Sequence, residues 1–184
     1  MGLLEKRRAG KLMLKILGAV MVIAAAALAG WIRSREYARR PNQIRRTILA
    51  LRRLETEIMY GFTPLPDALL RIGEQSGEPI QFILSEAAKW MNSPHHRTAQ
   101  ESLQKAIQSG WKYTAMKNAE KDVLHQLSFT LGTSDRKDQL GHIATAVRQL
   151  ESEEEIAREE QNRYEKMYKS LGVLCGAFIV ILFY

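Results

Sequence analysis

The sequence lacks most of the residues and motifs from which known catalytic sites are built. Its one cysteine, Cys175, cannot form a disulfide or a thiolate metal site within the chain. No G-x-x-x-x-G-K-[ST], G-x-S-x-G or C-x-x-C motif is present. Of the four histidines, His95 and His96 are adjacent and so point apart, and His125 and His142 lie on different predicted helices, which does not indicate a metal site. We therefore predict a protein that is not an enzyme, with no cofactor, no metal site and no small-molecule substrate.

Residues 34–170 also lack the strict polar–apolar alternation of a half-buried strand. Apolar residues recur there at intervals of three and four, which indicates amphipathic helices. Gly61 is predicted to end the first helix in the left-handed conformation, and Pro64 to begin the second. The predicted helices begin near Pro41, Pro64, Pro79, Thr98, Asn118 and Ser134. The predicted fold class is therefore all-α, a six-helix bundle.

The stretch FTLGTSDRKDQLGHI at 129–143 has the composition of a phosphate cradle followed by an acidic pair. A helix corner explains the same residues. Gly132 follows an apolar helix and supplies a left-handed turn, and Ser134 or Asp135 caps the next helix. A corner uses every unusual residue of the stretch, so we interpret it as structural and not as an active site.

The last predicted helix carries the longest apolar stripe of the chain. From 140 to 171 its apolar positions alternate steps of three and four, as in a coiled coil, although Glu154 and Gln161 interrupt the stripe. The acidic run 151–160 is interpreted as a solvated face. The helix continues without a break into the apolar C-terminus, so one long helix is predicted to join the bundle to a membrane span.

Two stretches contain no charged residue, 16–32 and 171–184. Crossing a bilayer core of about 30 Å takes about 20 helical residues, and we interpret both stretches as spans, the second being short. The predicted division is a basic extension or misassigned start at 1–12, a transmembrane helix at 13–33, a cytoplasmic helical bundle at 34–169 and a C-terminal transmembrane helix at 170–184. Ala27-Leu28-Ala29 also fits a signal-peptide cleavage site, but the arginines that follow favour an uncleaved anchor.

The formal net charge of +7 is concentrated beside these two stretches. This distribution predicts a cytoplasmic loop with both termini across the membrane, and it indicates contact with anionic lipid and not with nucleic acid. The residues predicted to lie on the membrane surface are Arg39, Arg40, Arg45, Arg46, Lys166 and Lys169. Gly172 and Gly176 form a G-x-x-x-G pattern, which predicts close packing of the second span on another helix.

Three segments resemble one known family. They are ETEIMYGFTPLPDALLRIGE at 55–74, LHQLSFTLGTSDRKDQLGHI at 124–143 and YKSLGVLCGAFIVILFY at 168–184, and they resemble stage III sporulation protein AB. The resemblance covers about residue 13 to the C-terminus, and its L-G-x-S-D-R-x-x-Q block is specific. That family is similar in turn to the cytoplasmic domain of the type II secretion platform protein F, a six-helix bundle. The shared feature is a G-x-x-P-L-x-x-A-L pattern, which begins here at Gly61.

The resemblance implies a non-enzymatic membrane scaffold in the channel complex between mother cell and forespore during endospore formation. It implies other stage III sporulation A proteins as partners, including protein AA, a secretion-type ATPase. It also implies a place in the cell membrane, with the loop domain in the mother-cell cytoplasm. Taken without the resemblance, the residues leave open a membrane-tethered signalling or sensor adaptor that uses the 140–171 stripe as a coiled coil.

Overall fold

The computed structural model describes residues 37–61, 63–94, 98–132 and 135–183, together with helical positions 18, 21, 24, 25 and 28. Beyond residue 167 it describes only some of the side chains. Every regular element in this part of the chain is helical, which confirms the all-α prediction. The helices are α1 (residues 37–60), α2 (Leu65–Glu74), α3 (Ile80–Met91), α4 (Ala99–Gly110), α5 (Asn118–Ser128) and α6 (Arg136–Phe183), with a 3-10 turn at Trp111–Tyr113.

Local signals in the sequence explain several helix boundaries. At the start of α4 the Glu101 N–H donates to Thr98 Oγ1 at 3.2 Å, and the Thr98 N–H donates to Glu101 Oε2 at 3.2 Å. This reciprocal capping box satisfies two backbone donors that the first helical turn leaves free. Between α2 and α3 the chain turns at Gly77, whose φ is +68°. Pro64 directly precedes α2.

Two expectations for α1 are wrong. The helix does not open at Pro41, because residues 37–40 are already helical and Pro41 is buried within the helix. Tyr37 stacks on Tyr164 of α6 with ring centroids 4.7 Å apart, and this packing favours the additional upstream turn. Gly61 is not left-handed. Its N–H donates to the Glu57 carbonyl at 2.8 Å, and an added Cβ would lie 2.5 Å from that oxygen, so close approach explains the glycine.

The chain divides into two compact units, Arg39–Arg158 and Met1–Ala38 with Glu159–Tyr184. Within the first unit α2 packs on α3, α3 on α4, and α4 on α5. All six helices contribute buried apolar side chains to a single core, among them Ile44, Leu54, Leu69, Ile83, Ile107, Leu127, Ile143 and Leu150. Burying one such side chain stabilises the fold by about 1.5–3 kcal/mol. Apolar burial is therefore the main force that holds the helices of this unit together.

The predicted coiled-coil stripe on α6 is used inside the chain. Ile143, Val147, Leu150 and Ala157 are buried in the core of the first unit. A coiled coil needs these positions free to insert between the side chains of a partner helix. The first half of the stripe is therefore not available to a second chain.

The predicted long final helix is confirmed, since α6 is unbroken over 48 residues. No helix among the described residues is both long enough and apolar enough to cross a bilayer. Most of the stretch 13–33 lies outside the described residues. The two membrane spans therefore stay predictions.

Candidate functional site

The corner between α5 and α6 has the geometry that its sequence predicts at two of its three key positions. Gly132 has a φ of +81°, a conformation that residues with a Cβ rarely adopt. The Asp138 N–H donates to Asp135 Oδ1 at 2.8 Å, so the Asp135 side chain caps the first turn of α6. Ser134 lies outside the described residues. α5 itself ends at Ser128, four residues before Gly132, and a turn follows.

This corner also packs against the starts of two other helices. A Cβ added to Gly132 would lie 2.7 Å from Ala99 Cβ in α4 and 3.8 Å from Leu65 Cδ2 in α2. Two of the segments that carry the family resemblance, 55–74 and 124–143, therefore meet at one end of the bundle. The glycine is needed here both for its backbone conformation and for the close approach of α4.

Replacing Asp135 by alanine is expected to lower the free energy of unfolding by about 1 kcal/mol, because a backbone donor of α6 loses its acceptor. Asp135→Asn should stay close to the parent, because asparagine caps as well as aspartate. The measurement is urea unfolding of residues 34–169, which contain the whole Arg39–Arg158 unit, followed by far-UV circular dichroism. Equal losses in the two variants would contradict the capping role.

A buried polar stripe on α1 is the least expected feature of the first unit. Arg40, Gln43 and Thr47 are 7%, 6% and 4% exposed, and their spacing of three and four places them on one face of the helix. Burying polar groups is unfavourable unless they are hydrogen-bonded. Each of the three side chains reaches the segment 115–120, which joins the 3-10 turn to the first turn of α5.

Arg40 forms the strongest of these contacts. Its Nε donates to Glu120 Oε1 at 2.8 Å, and its Nη2 lies 2.7 Å from the same oxygen and 3.0 Å from Glu153 Oε2. Glu120 is fully buried, and its Oε2 accepts the Lys117 N–H at 2.7 Å. One guanidinium therefore joins α1 to α5 and α6. The prediction that Arg40 lies on the membrane surface is wrong, because the side chain is committed to this interior ion pair.

The other two members of the stripe hold the backbone of the connecting segment. Gln43 Oε1 accepts the Ala115 N–H at 2.6 Å. The Thr47 hydroxyl donates to its own helix at the Gln43 carbonyl, at 3.0 Å, and lies 3.9 Å from Met116 Sδ. Met116 is itself buried in the core. We refer to Arg40, Gln43, Thr47 and Glu120 as the polar clamp, since together they hold the segment 115–120 against α1.

The polar clamp has the chemistry of a structural site. Glu120 has no exposed surface, so a substrate cannot reach its carboxylate. Both Glu120 and Glu153 are already bound to Arg40. Across the residues that the structure describes, no cluster of three or more His, Cys, Asp or Glu side chains could hold a metal ion. The clamp therefore orders helices and does not offer a reactive group.

The other residues predicted to lie on the membrane surface or to pack within the second span lie in different environments. Arg46 is exposed, but its Nη1 donates to the Glu78 carbonyl at 3.1 Å and so ties α1 to the turn before α3. Lys169 has a side chain outside the described part, and Gly172 and Gly176 are helical residues of α6 whose packing is also outside it. Of the residues predicted to lie on the membrane surface, Arg39, Arg45 and Lys166 are exposed and have no such contact to a carbonyl among the described residues.

A signal for the buried arginine does exist in the sequence. The core residues Ile44, Leu51 and Leu54 lie on the inner face of α1. Stepping back from Ile44 by four residues, one helical turn, reaches Arg40. In the sequence the same position belongs to a basic cluster beside an uncharged stretch, which predicts contact with an anionic membrane surface. Its partner, Glu120, is 80 residues away and cannot be identified by spacing.

Comparison with known proteins gives matches within a single family. The sequence profile of stage III sporulation protein AB matches residues 15–184. The stage III sporulation protein AB of Bacillus subtilis (strain 168) is 37% identical over 170 residues, which cover 92% of this chain and 99% of that protein. A solved structure of a stage III sporulation protein AB aligns with a TM-score of 0.64 at 34% identity, over 68% of this chain and 98% of the solved one. The chain therefore belongs to the stage III sporulation protein AB family.

Proposed function

We propose that this chain is a non-enzymatic membrane scaffold in the secretion-like channel complex that links mother cell and forespore during endospore formation. Membership of the sporulation family supports a place in a sporulation complex. In the proposed role its partners are the other stage III sporulation A proteins, including the AA ATPase. The chain would act there as a platform on which partners assemble.

The proposal rests on one observation: the side chains that could take part in catalysis are used to hold helices together. Arg40 and Glu120 bind each other in the interior. Asp135, the leading acid of the corner, caps a helix. His125 lies edge-on to Phe129 with ring centroids 5.5 Å apart. A domain whose polar groups hold helices in place supplies a rigid surface, which a scaffold requires.

Membrane attachment is supported by the exposed face near the end of α6. The large apolar side chains that the structure describes there are between 45% and 75% exposed, and they are Met167, Leu171, Leu174, Phe178 and Ile181. Steps of four and three residues separate them, so they form one continuous stripe along the helix. Apolar patches of this kind are characteristic of surfaces that contact lipid or protein. We propose that both uncharged stretches are held in the membrane, with residues between them in the cytoplasm.

The signalling-adaptor alternative depends on a coiled coil along 140–171. The burial of Ile143, Val147 and Leu150 within the chain disfavours it, since these positions would have to face a second helix. The burial is compatible with a platform, whose contacts are made through outer surfaces of the bundle.

The test of the proposed function uses the tagged full chain in sporulating cells. Membranes are washed with alkaline carbonate, treated with an amine-reactive crosslinker and probed for adducts with the AA ATPase. We expect the chain to stay in the membrane pellet and to form these adducts. Release by carbonate would contradict membrane attachment, and absence of adducts would contradict the partner. ATP hydrolysis by the purified chain would contradict a non-enzymatic role.

We further propose that the exposed bases Arg39, Arg45 and Lys166 contact an anionic membrane surface, to which each contributes about 1 kcal/mol. The variant Arg39→Glu/Arg45→Glu of residues 34–169 should lose most of its binding to vesicles that contain phosphatidylserine. The control Arg136→Glu/Lys137→Glu changes the net charge equally at the start of α6. Binding should also fall with added salt. Equal binding by the two variants would leave the arginines with a role in membrane topology alone.

A further inference from the structure

Two lysines, on the surface of α4 and of the 3-10 turn, each lie over an aromatic ring. Lys105 Nζ lies 3.8 Å from the centroid of the Trp90 ring, and Lys112 Nζ lies 4.9 Å from that of Tyr113. Tyr113 is 54% exposed. We call Lys105, Lys112, Trp90 and Tyr113 the basic face. Cation–π contacts hold each ammonium group at a defined position without neutralising its charge.

The lysines of the basic face have no acidic partner within the described part of the chain. The ion pairs found there involve other residues. One of them, on α3 close to Trp90, joins Lys89 to Glu86. Tyrosine and other aromatic residues are enriched at protein interfaces, and they often carry a large share of the binding energy. An exposed tyrosine beside one positioned lysine, together with a second lysine held over Trp90, has the composition of a surface that binds an acidic, partly apolar segment.

The chain itself carries a segment of that composition on α6. Glu155 and Glu159 are exposed and one helical turn apart, and Ile156 beside them is 46% exposed. We call these three residues the acidic face. Glu155 and Glu159 form no ion pair among the described residues, whereas the neighbouring Glu151 and Glu154 are bound to Arg52 and Arg158. The acidic face thus has free carboxylates around an exposed aliphatic side chain.

We propose that the basic face binds the acidic face of a second copy of this chain. The charges are complementary, and the exposed tyrosine and isoleucine supply apolar area at the centre of the contact. Because the two faces are different surfaces, each copy would use its basic face for one neighbour and its acidic face for another. Contacts of this heterologous kind build rings or open chains and not closed two-fold dimers.

The test is zero-length carbodiimide crosslinking of the full chain in neutral detergent. This reagent joins a lysine to a carboxylate only where the two are in contact. Mixing unlabelled chain with nitrogen-15 chain identifies peptides that join two copies. We expect mixed-isotope links between Lys105 or Lys112 and Glu155 or Glu159. We also expect a ladder of dimers, trimers and larger species that shortens as salt is raised.

Charge reversal then decides the occupant of the basic face. Lys105→Glu/Lys112→Glu should weaken self-association about tenfold, because several exposed ion pairs are lost together. Mixing it with Glu155→Lys/Glu159→Lys should restore mixed assembly, and Arg136→Glu/Lys137→Glu controls for net charge. Far-UV circular dichroism checks that each variant is folded. Self-association unaffected by reversal would overturn the proposal. Loss without rescue by the reciprocal variant would also overturn it, by showing that the basic face binds a different acidic partner.

Discussion

Replacing Glu120 by glutamine is expected to lower the free energy of unfolding of residues 34–169 by about 3 kcal/mol or more, within the range of about 3–5 kcal/mol seen when a buried ion pair loses one partner. Arg40, only 7% exposed, then keeps its charge in the interior without the carboxylate of Glu120, while Glu153 Oε2 still lies 3.0 Å from its Nη2. The loss should appear as a lower urea midpoint with an unchanged denaturant slope.

The matched control is Glu151→Gln. Glu151 also pairs with an arginine, Arg52, but both side chains are about half exposed. Exposed pairs contribute only about 0–1 kcal/mol, so this variant should unfold close to the parent midpoint. The two substitutions change the same atoms in the same way, but Glu120 is buried and also accepts the Lys117 N–H, whereas Glu151 is about half exposed. Similar losses in both would show that the interior position of Glu120 is not what makes it important.

A double variant separates the charge from the packing. Arg40→Met alone leaves a fully buried carboxylate with only the Lys117 N–H as a described partner. Combined with Glu120→Gln, it removes both charges, and the double loss should be smaller than the sum of the two single losses. Additive losses would indicate that the two side chains act independently. That outcome would contradict the polar clamp as a coupled unit.

Replacing Gly132 by alanine is expected to lower the free energy of unfolding by about 2–5 kcal/mol. The left-handed backbone costs a residue with a Cβ about 1–2 kcal/mol, and overpacking against a fixed neighbour typically adds about 1–3 kcal/mol. Both apply here, since φ is +81° and the new Cβ would lie 2.7 Å from Ala99 Cβ.

Gly141→Ala is the matched control, and its expected effect has the opposite sign. Gly141 lies in the second turn of α6, where an added Cβ would meet nothing within 4 Å. Alanine in a helix is more favourable than glycine by about 0.5–1 kcal/mol, so this variant should be more stable than the parent. If Gly132→Ala were tolerated as well as Gly141→Ala, the corner would not require glycine. The contact with α4 would then have to be adjustable.

Features set by neighbouring residues could be predicted from the sequence alone. The period of three and four indicated helices throughout, and the capping box at Thr98 marked the start of α4 correctly. The turn at Gly132 and a cap at Ser134 or Asp135 were likewise predicted from local order, because a turn or a cap involves atoms only a few residues apart. The same holds for the uninterrupted α6, since nothing in its sequence breaks the helix.

Only the tertiary structure decided which polar groups lie inside and which surfaces remain free. Arg40 shares a basic cluster with Arg39, Arg45 and Arg46 in the sequence, yet it is buried because Glu120, far along the chain, supplies its counter-charge. By its sequence alone, the α6 stripe could serve a second chain equally well. Its first half is covered by the other helices of the unit, and only the packing shows this. Ion pairing and burial depend on residues distant in sequence, so local spacing cannot determine them.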